Sequence, residues 1–210
     1  MPCEPGGVPA QDPARIKALN IDWMCPILDW IKPDNITACE NAALPMWLYT
    51  SLEPHAQYNN FRIDNLLWQS RFLFWQVAQL RFSGFLYYSL NAWGHTNQTH
   101  VPIDSDAMTS PFISPRDWNP VHEGRADDVG DGILVWAGKD GPLASTRLHN
   151  VRDGLEDHAY FELLRAAKGD AAVQAVLATV SDFENMQNYS HNLTAIMALR
   201  ESVAEQIEGA

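Results

Sequence analysis

The chain has 210 residues, 46% of them hydrophobic and 10% aromatic, with a formal net charge of −12. That describes one folded domain with a real core rather than a disordered segment. A surface this acidic repels phosphate backbones and argues against nucleic acid as a partner.

Residues 1–20 are rich in proline and glycine and lack the apolar stretch of a secretory leader. They read as a loose tail, and localisation stays open. The first strand is expected in IDWMCPILDW (21–30), where Pro26 predicts an irregularity. A short helix follows in DNITACENAAL, with Asp34 or Asn35 placed to cap it. MWLYT (46–50) reads as a buried strand, and residues 63–82 as a long helix with a wide apolar face pressed on a sheet. GFLYYSLNAW (84–93) and GILVWAG (132–138) complete four strand-like runs. Runs that are apolar on both faces suit a parallel sheet covered by helices. Residues 94–131 show no periodicity and form a long loop. Helices are expected from Ser145, from about 170 to 180, and from about 182 to 208. The order predicts an α/β fold with right-handed crossovers, with residues 21–210 as the domain and its C-terminal helices starting near 145. No run reaches the ~18 apolar residues of a membrane span.

Cofactor motifs are missing from the sequence. There is no Walker A loop, no G-x-S-x-G and no H-E-x-x-H, and the seven histidines are scattered. No cofactor is indicated, and no metal. The cysteines, Cys3, Cys25 and Cys39, are odd in number and form no C-x-x-C, which argues against a disulfide framework. N-x-[ST] triplets at Asn35, Asn97, Asn188 and Asn192 would matter only in a secreted chain.

The strand ends are more informative. In parallel α/β sheets, ligands gather at the carboxyl ends of the strands. Those ends carry Asp29 and Trp30, Tyr49 and Thr50, Asn91 and Trp93, and Trp136. Aromatic faces stack on the C–H faces of sugar rings, while carboxylates and amides hold hydroxyls. The alternative is that these are core and rim residues of a tryptophan-rich protein. Asp29, Tyr49, Asn91 and Trp93 are the candidate substrate-binding residues.

The stretch RLHNVRDGLED carries many charges on one expected helix. Arg152 and Glu156 are four residues apart, as are Asp153 and Asp157, the spacing of helical ion pairs. Glu156 and Asp157 point ~100° apart, so they do not face each other as an acid/base pair. Arg147, Arg152, Asp153 and Glu156 are therefore expected to be structural.

The same stretch carries a family resemblance. GDGILVWAGKDGPLASTRLHNVRDGLEDHAYFELL (130–164) closely resembles the end of the catalytic domain of glycoside hydrolase family 123. Its pattern there is a G-D-G strand, a glycine turn, then S-x-R-L-x-x-x-R-D-G-[IL]-E-D. IDWMCPILDW, PMWLYTSLEPH, NNFRIDN and GFLYYSLNAW resemble earlier motifs of that family, in family order. Ala137 stands where the family usually has proline, and Thr146 where it often has isoleucine or valine.

The resemblance implies a (β/α)8 barrel and β-N-acetylgalactosaminidase-like chemistry. In that chemistry the 2-acetamido oxygen of an N-acetylhexosamine attacks the anomeric carbon, served by an adjacent Asp-Glu pair. By motif order this chain carries strands five to eight, the C-terminal half of such a barrel. It contains no Asp-Glu dipeptide, so its catalytic residues are unknown and the chain alone is expected to be inactive. A non-catalytic carbohydrate-binding or interaction module, or a nonfunctional fragment, remain the other readings. A half barrel leaves open edges, so self-association through them is expected.

Overall fold

A computed structural model describes residues 13–51, 53–54, 57–91, 130–138 and 140–209. Among these, the elements in chain order are α1 (Pro13–Ala18), α2 (Pro33–Asn41), β1 (Trp47–Thr50), α3 (Gln69–Gln79), β2 (Gly84–Tyr87), β3 (Val135–Gly138), β4 (Gly141–Ala144), α4 (Thr146–Lys168), α5 (Asp170–Leu177) and α6 (Leu193–Glu208). Within the expected tail, α1 buries Ile16 in the core. No helix of the described residues is long and apolar enough to cross a membrane.

β1 and β2 pair in parallel, Trp47 opposite Gly84 through Thr50 opposite Tyr87. The stretch expected as the first strand contributes only the parallel bridges Met24–Met46 and Ile27–Tyr49, then curls into a 3-10 turn at Leu28–Trp30. Pro26 has no N–H to continue the ladder, though its carbonyl accepts from Tyr49 N at 3.0 Å. The fourth expected strand departs further. β3 pairs with β4 as an antiparallel hairpin. Gly141, at φ 145°, turns the chain back on itself. The hairpin is tied to the end of the parallel pair through Leu90 O, which accepts from Leu134 N and Val135 N, and through an antiparallel Asn91–Ile133 bridge.

The parallel register gives the sheet two unlike faces, because paired residues share a side. Leu48 with Phe85, and Thr50 with Tyr87, face the core, where Phe61 meets both Phe85 and Tyr87 edge-on. The other face carries Trp47, Tyr49 and Leu86, continuing past the strand to Tyr88 and Leu90. Leu86, Tyr88 and Leu90 are exposed, as is Trp23, whose ring lies 4.7 Å from that of Trp47. Trp47 lies flat over Gly84, where a Cβ would come within 2.4 Å of its indole.

α3 is the central element, and nearly all of its residues are buried. One side enters the core under the sheet with Phe74 and Val77, and the other enters a second core with Phe72, Trp75 and Ala78 among α4, α5 and α6. Its glutamines, Gln69, Gln76 and Gln79, are buried as well. Gln76 accepts from Asn59 and donates to Met186 O, and Gln79 donates to Ser181 O. The helix is also shorter than its apolar pattern suggests. Gln69 Oε1 accepts from Leu66 N and from Asn65 Nδ2, which fixes the preceding turn.

The last helix likewise starts later, at Leu193, with Asn192 as its cap. Before it, Asp182 Oδ1 accepts from Glu184 N and Asn185 Oδ1 from Gln187 N. Short polar side chains that capture nearby amides favour turns over helix.

Asp157 on α4 ties three helices together. It is buried at 1% exposure and accepts from Arg71 Nε (2.6 Å) and Nη2 (2.8 Å), Trp75 Nε1 (2.8 Å) and Arg200 Nε (2.5 Å). The close approach of α4 to α3 depends on Gly154, where a Cβ would meet the Phe74 ring at 2.5 Å and Arg71 O at 2.7 Å. Asp157→Ala should cost about 3–5 kcal/mol, since it strands two guanidinium groups. Arg152→Ala, in an exposed pair, should cost about 0–1 kcal/mol. Urea denaturation of both variants checks this, and equal losses would contradict it.

His158 adds a pH dependence. Burial is the main cause holding its imidazole below the ordinary value; Glu162 opposes the shift and Arg165 adds to it. The unfolded chain therefore takes up the proton first as pH falls below about 6.5. Stability should decline from there down to the lower folded pKa, and His158→Gln should flatten that part of the stability–pH curve.

Candidate functional site

The connection after β1 is fixed by buried polar side chains. Asn60 Nδ2 donates to Ser51 O (2.9 Å) and Pro54 O (3.3 Å), and Arg62 Nη2 donates to Pro54 O (2.8 Å). Asn59, Asn60, Phe61 and Arg62 are each no more than 1% exposed. This brings Tyr58 near Asp29. Burial first, then the charge of Asp29, raises the Tyr58 phenol, against a hydrogen bond with Gln187. Beside it a cleft of about 390 Å³ is lined by Gln57, Arg62, Asp64, Gln69, Tyr189 and His191, among others.

At the carboxyl end of β2 the G-D-G motif closes over the sheet. Gly130 (φ 83°) and Gly132 (φ 72°) are left-handed and flank Asp131, which is 2% exposed. Tyr87 Oη donates to Asp131 Oδ1 at 3.1 Å and accepts from Gly132 N at 2.6 Å. Burial and then the Asp131 charge raise the Tyr87 phenol well above its ordinary value, and the same two causes raise Tyr88, which also hydrogen-bonds Asp131. Both phenols therefore remain protonated at neutral pH and act as donors.

The substrate-binding residues expected from the sequence fall around this cluster. Asp29 sits in the 3-10 turn, two residues beyond the Ile27–Tyr49 bridge. Tyr49 lies on β1 opposite Leu86, close enough to Tyr88 to influence its phenol. Asn91 is exposed and bridges to Ile133. Strand pairing thus puts Asp29, Tyr49 and Asn91 at or beyond the same end of the sheet. Trp93 and nearly all of the 94–131 loop lie outside the described residues.

Of the four helix residues expected to be structural, Arg152 pairs at the surface with Asp153 (2.6 Å) and more loosely with Glu156 (3.7 Å). Arg147 forms neither a hydrogen bond nor an ion pair among the described residues, and its Nε is buried. The buried members of the R-D-G-L-E-D motif are Gly154 and Asp157.

Residue-level reading missed Tyr87, Tyr88, Asp131 and Tyr58. Two glycines flanking an aspartate were the available signal, since they permit the left-handed backbone that aims Asp131 back at the tyrosines.

Aromatic rings and polar side chains thus gather at the carboxyl end of a parallel strand pair on an α/β scaffold. Comparison with known families makes the class specific. The family model "Glycoside hydrolase 123, catalytic domain" matches residues 10–164. The chain belongs to glycoside hydrolase family 123, and membership implies a carbohydrate substrate. No curated protein matches the chain.

Tyr87→Phe should cost about 1–3 kcal/mol, because it leaves Gly132 N–H without an acceptor and removes a donor from buried Asp131. Chemical denaturation measures the loss. A neutral substitution would mean that the phenol does not hold this corner together.

Proposed function

We propose that the chain is the substrate-facing, C-terminal half of a barrel that hydrolyses terminal N-acetylhexosamines, β-N-acetylgalactosaminides above all. The observation that carries this reading is the two-faced parallel pair. Helices cover one face, as on the outside of a (β/α)8 barrel. The other face presents Trp47, Tyr49, Leu86 and Tyr88, as inward strand positions would. Asp29, Tyr49 and Asn91 at the strand ends, with Trp93 beyond, are suited to stack on a sugar and hold its hydroxyl or acetamido groups.

In substrate-assisted hydrolysis the acetamido oxygen displaces the leaving group, an aspartate orients the acetamido group, and a glutamic acid protonates the departing oxygen. This chain has no Asp-Glu dipeptide, so on this reading it binds but does not turn over. That absence also supports the second reading, a carbohydrate-binding module without activity. The purified chain should release no chromophore from a chromogenic N-acetylgalactosaminide above a denatured control. Turnover well above that control would overturn the loss of the dyad and direct attention to Glu53. Tryptophan fluorescence should report N-acetylgalactosamine binding, weakened about tenfold by Asp29→Asn or Tyr49→Phe. No binding by the unaltered chain would remove the sugar-facing assignment.

The half-barrel reading makes a separate claim. The uncovered aromatic face and the open edges of a short sheet call for a partner, most simply a second copy. Light scattering should find an oligomer. A monodisperse 23.6 kDa monomer that unfolds cooperatively would defeat the half-barrel reading.

A further inference from the structure

The segment before α6 is tied to α3 by three buried glutamines. Gln69 Nε2 donates to the Tyr189 hydroxyl, Gln76 Nε2 to Met186 O (2.9 Å) and Gln79 Nε2 to Ser181 O (3.0 Å). The segment also closes on itself. Ser181 and Tyr189 form an antiparallel bridge, Asp182 N donates to Asn188 O (2.9 Å), and Ser190 N donates to Val180 O (2.7 Å). Buried, satisfied polar contacts of this kind make a fixed wall.

That wall faces the connection after β1 across the cleft of about 390 Å³. The volume falls within the roughly 300–1,000 Å³ common for small-ligand sites. Gln57, Asp64 and Asn65 line one side, and Gln187, Tyr189 and His191 the other. Residues 187–191 lie beyond the 10–164 that the family model matches. The cleft also adjoins the strand-end site, because Gln187 hydrogen-bonds Tyr58, whose phenol feels the charge of Asp29.

The fold leaves polar capacity unused in this cleft. Gln69 Oε1 is taken by Leu66 N and Asn65 Nδ2, so toward Tyr189 the Gln69 amide is the donor. The Tyr189 hydroxyl therefore keeps its own proton to give, and among the described residues no acceptor takes it. Burial raises this phenol against the Gln69 hydrogen bond, which keeps it protonated. Tyr189 is 7% exposed, and a buried donor is costly without an acceptor. The ring of His191, an exposed residue, lies parallel to that of Tyr189, with centroids 4.9 Å apart and planes at 13°. Trp68 meets both rings edge-on. The imidazole is thus held flat at the cleft. Gln57 stands at φ 85°, in the left-handed region that residues other than glycine seldom adopt. Strain of that kind clusters at ligand clamps.

We propose that this cleft is an outer sugar subsite, which takes the ring next to the terminal N-acetylhexosamine of the glycan. His191 is the platform for a C–H face of that ring, and the Tyr189 hydroxyl donates to one of its oxygens. The amides of Gln57 and Gln187 both donate and accept, as sugar hydroxyls do. The wall that selects this second ring belongs to the C-terminal segment, outside the matched catalytic domain. The assignment to a sugar rests on the carbohydrate reading above.

Calorimetric titration of the full chain tests this with two probes: N-acetylgalactosamine, and a disaccharide of N-acetylgalactosamine β-linked to N-acetylglucosamine. The disaccharide should bind about tenfold or more tightly. His191→Ala and Tyr189→Phe should each remove most of that gain and leave the monosaccharide unchanged, whereas Asp29→Asn should weaken both sugars. His191 is exposed, so its variant decides the question if Tyr189→Phe does not fold. An undiminished gain in His191→Ala, or an equal loss of both sugars in that variant, would overturn the subsite. Monosaccharide binding with no gain from the second ring would remove the subsite and leave the carbohydrate reading standing. Binding of neither sugar would remove both.

Discussion

The buried carboxylate of Asp157 is the tie on which the helical layer depends. It lies at one point where α3, α4 and α6 converge, and it receives donors from Arg71, Trp75 and Arg200. Burying a single carboxylate is costly unless its oxygens are fully engaged. Here they are, and the engagement raises the Arg71 guanidinium, chiefly through the hydrogen bond itself. The tie also requires close helix packing, which Gly154 permits by leaving room for Phe74 and the Arg71 backbone. Arginine, glycine and aspartate in this one motif therefore serve different ends: a surface pair, a contact and a buried tie.

With the helices fixed, α3 becomes a rigid floor for β1 and β2. Phe74 and Phe85 meet with centroids 5.4 Å apart, and Phe61 joins Phe85 and Tyr87. The core-facing side of the sheet is thereby closed, while Leu86 and Tyr88 on the other side stay exposed. The polar network around Asp131 lies at the boundary. Tyr87 serves both packing and polar order, since its ring packs on Phe61 while its hydroxyl orders the G-D-G turn.

Much of this was legible along the chain. β1 and the helix after Ser145 follow from apolar periodicity and the turn at Gly141 from turn residues, all local signals, whereas α2 begins at Pro33 with Lys32 in the cap position, so neither Asp34 nor Asn35 caps it. The burial of the α3 glutamines has no local signal, because glutamines at helical spacing look alike whether they face water or the backbone of a distant segment. Gln76 and Gln79 bond to Met186 and Ser181, more than a hundred residues away. The expected start of the last helix failed for a local reason: Asp182 and Asn185 bind their own neighbours' amides before a helix can form.

The sequence by itself determined the family and the α/β character, because these depend on residue type and order. Only the tertiary structure decided which charges matter. Asp153, Glu156 and Asp157 are indistinguishable as carboxylates in a helical motif, yet only Asp157 is buried among donors from two other helices. Arg147 and Arg152 look equally structural, yet among the described residues only Arg152 forms an ion pair. The physical reason is that the free energy of a charge depends on its solvent exposure and on the donors and acceptors around it, and those are supplied by elements distant in sequence.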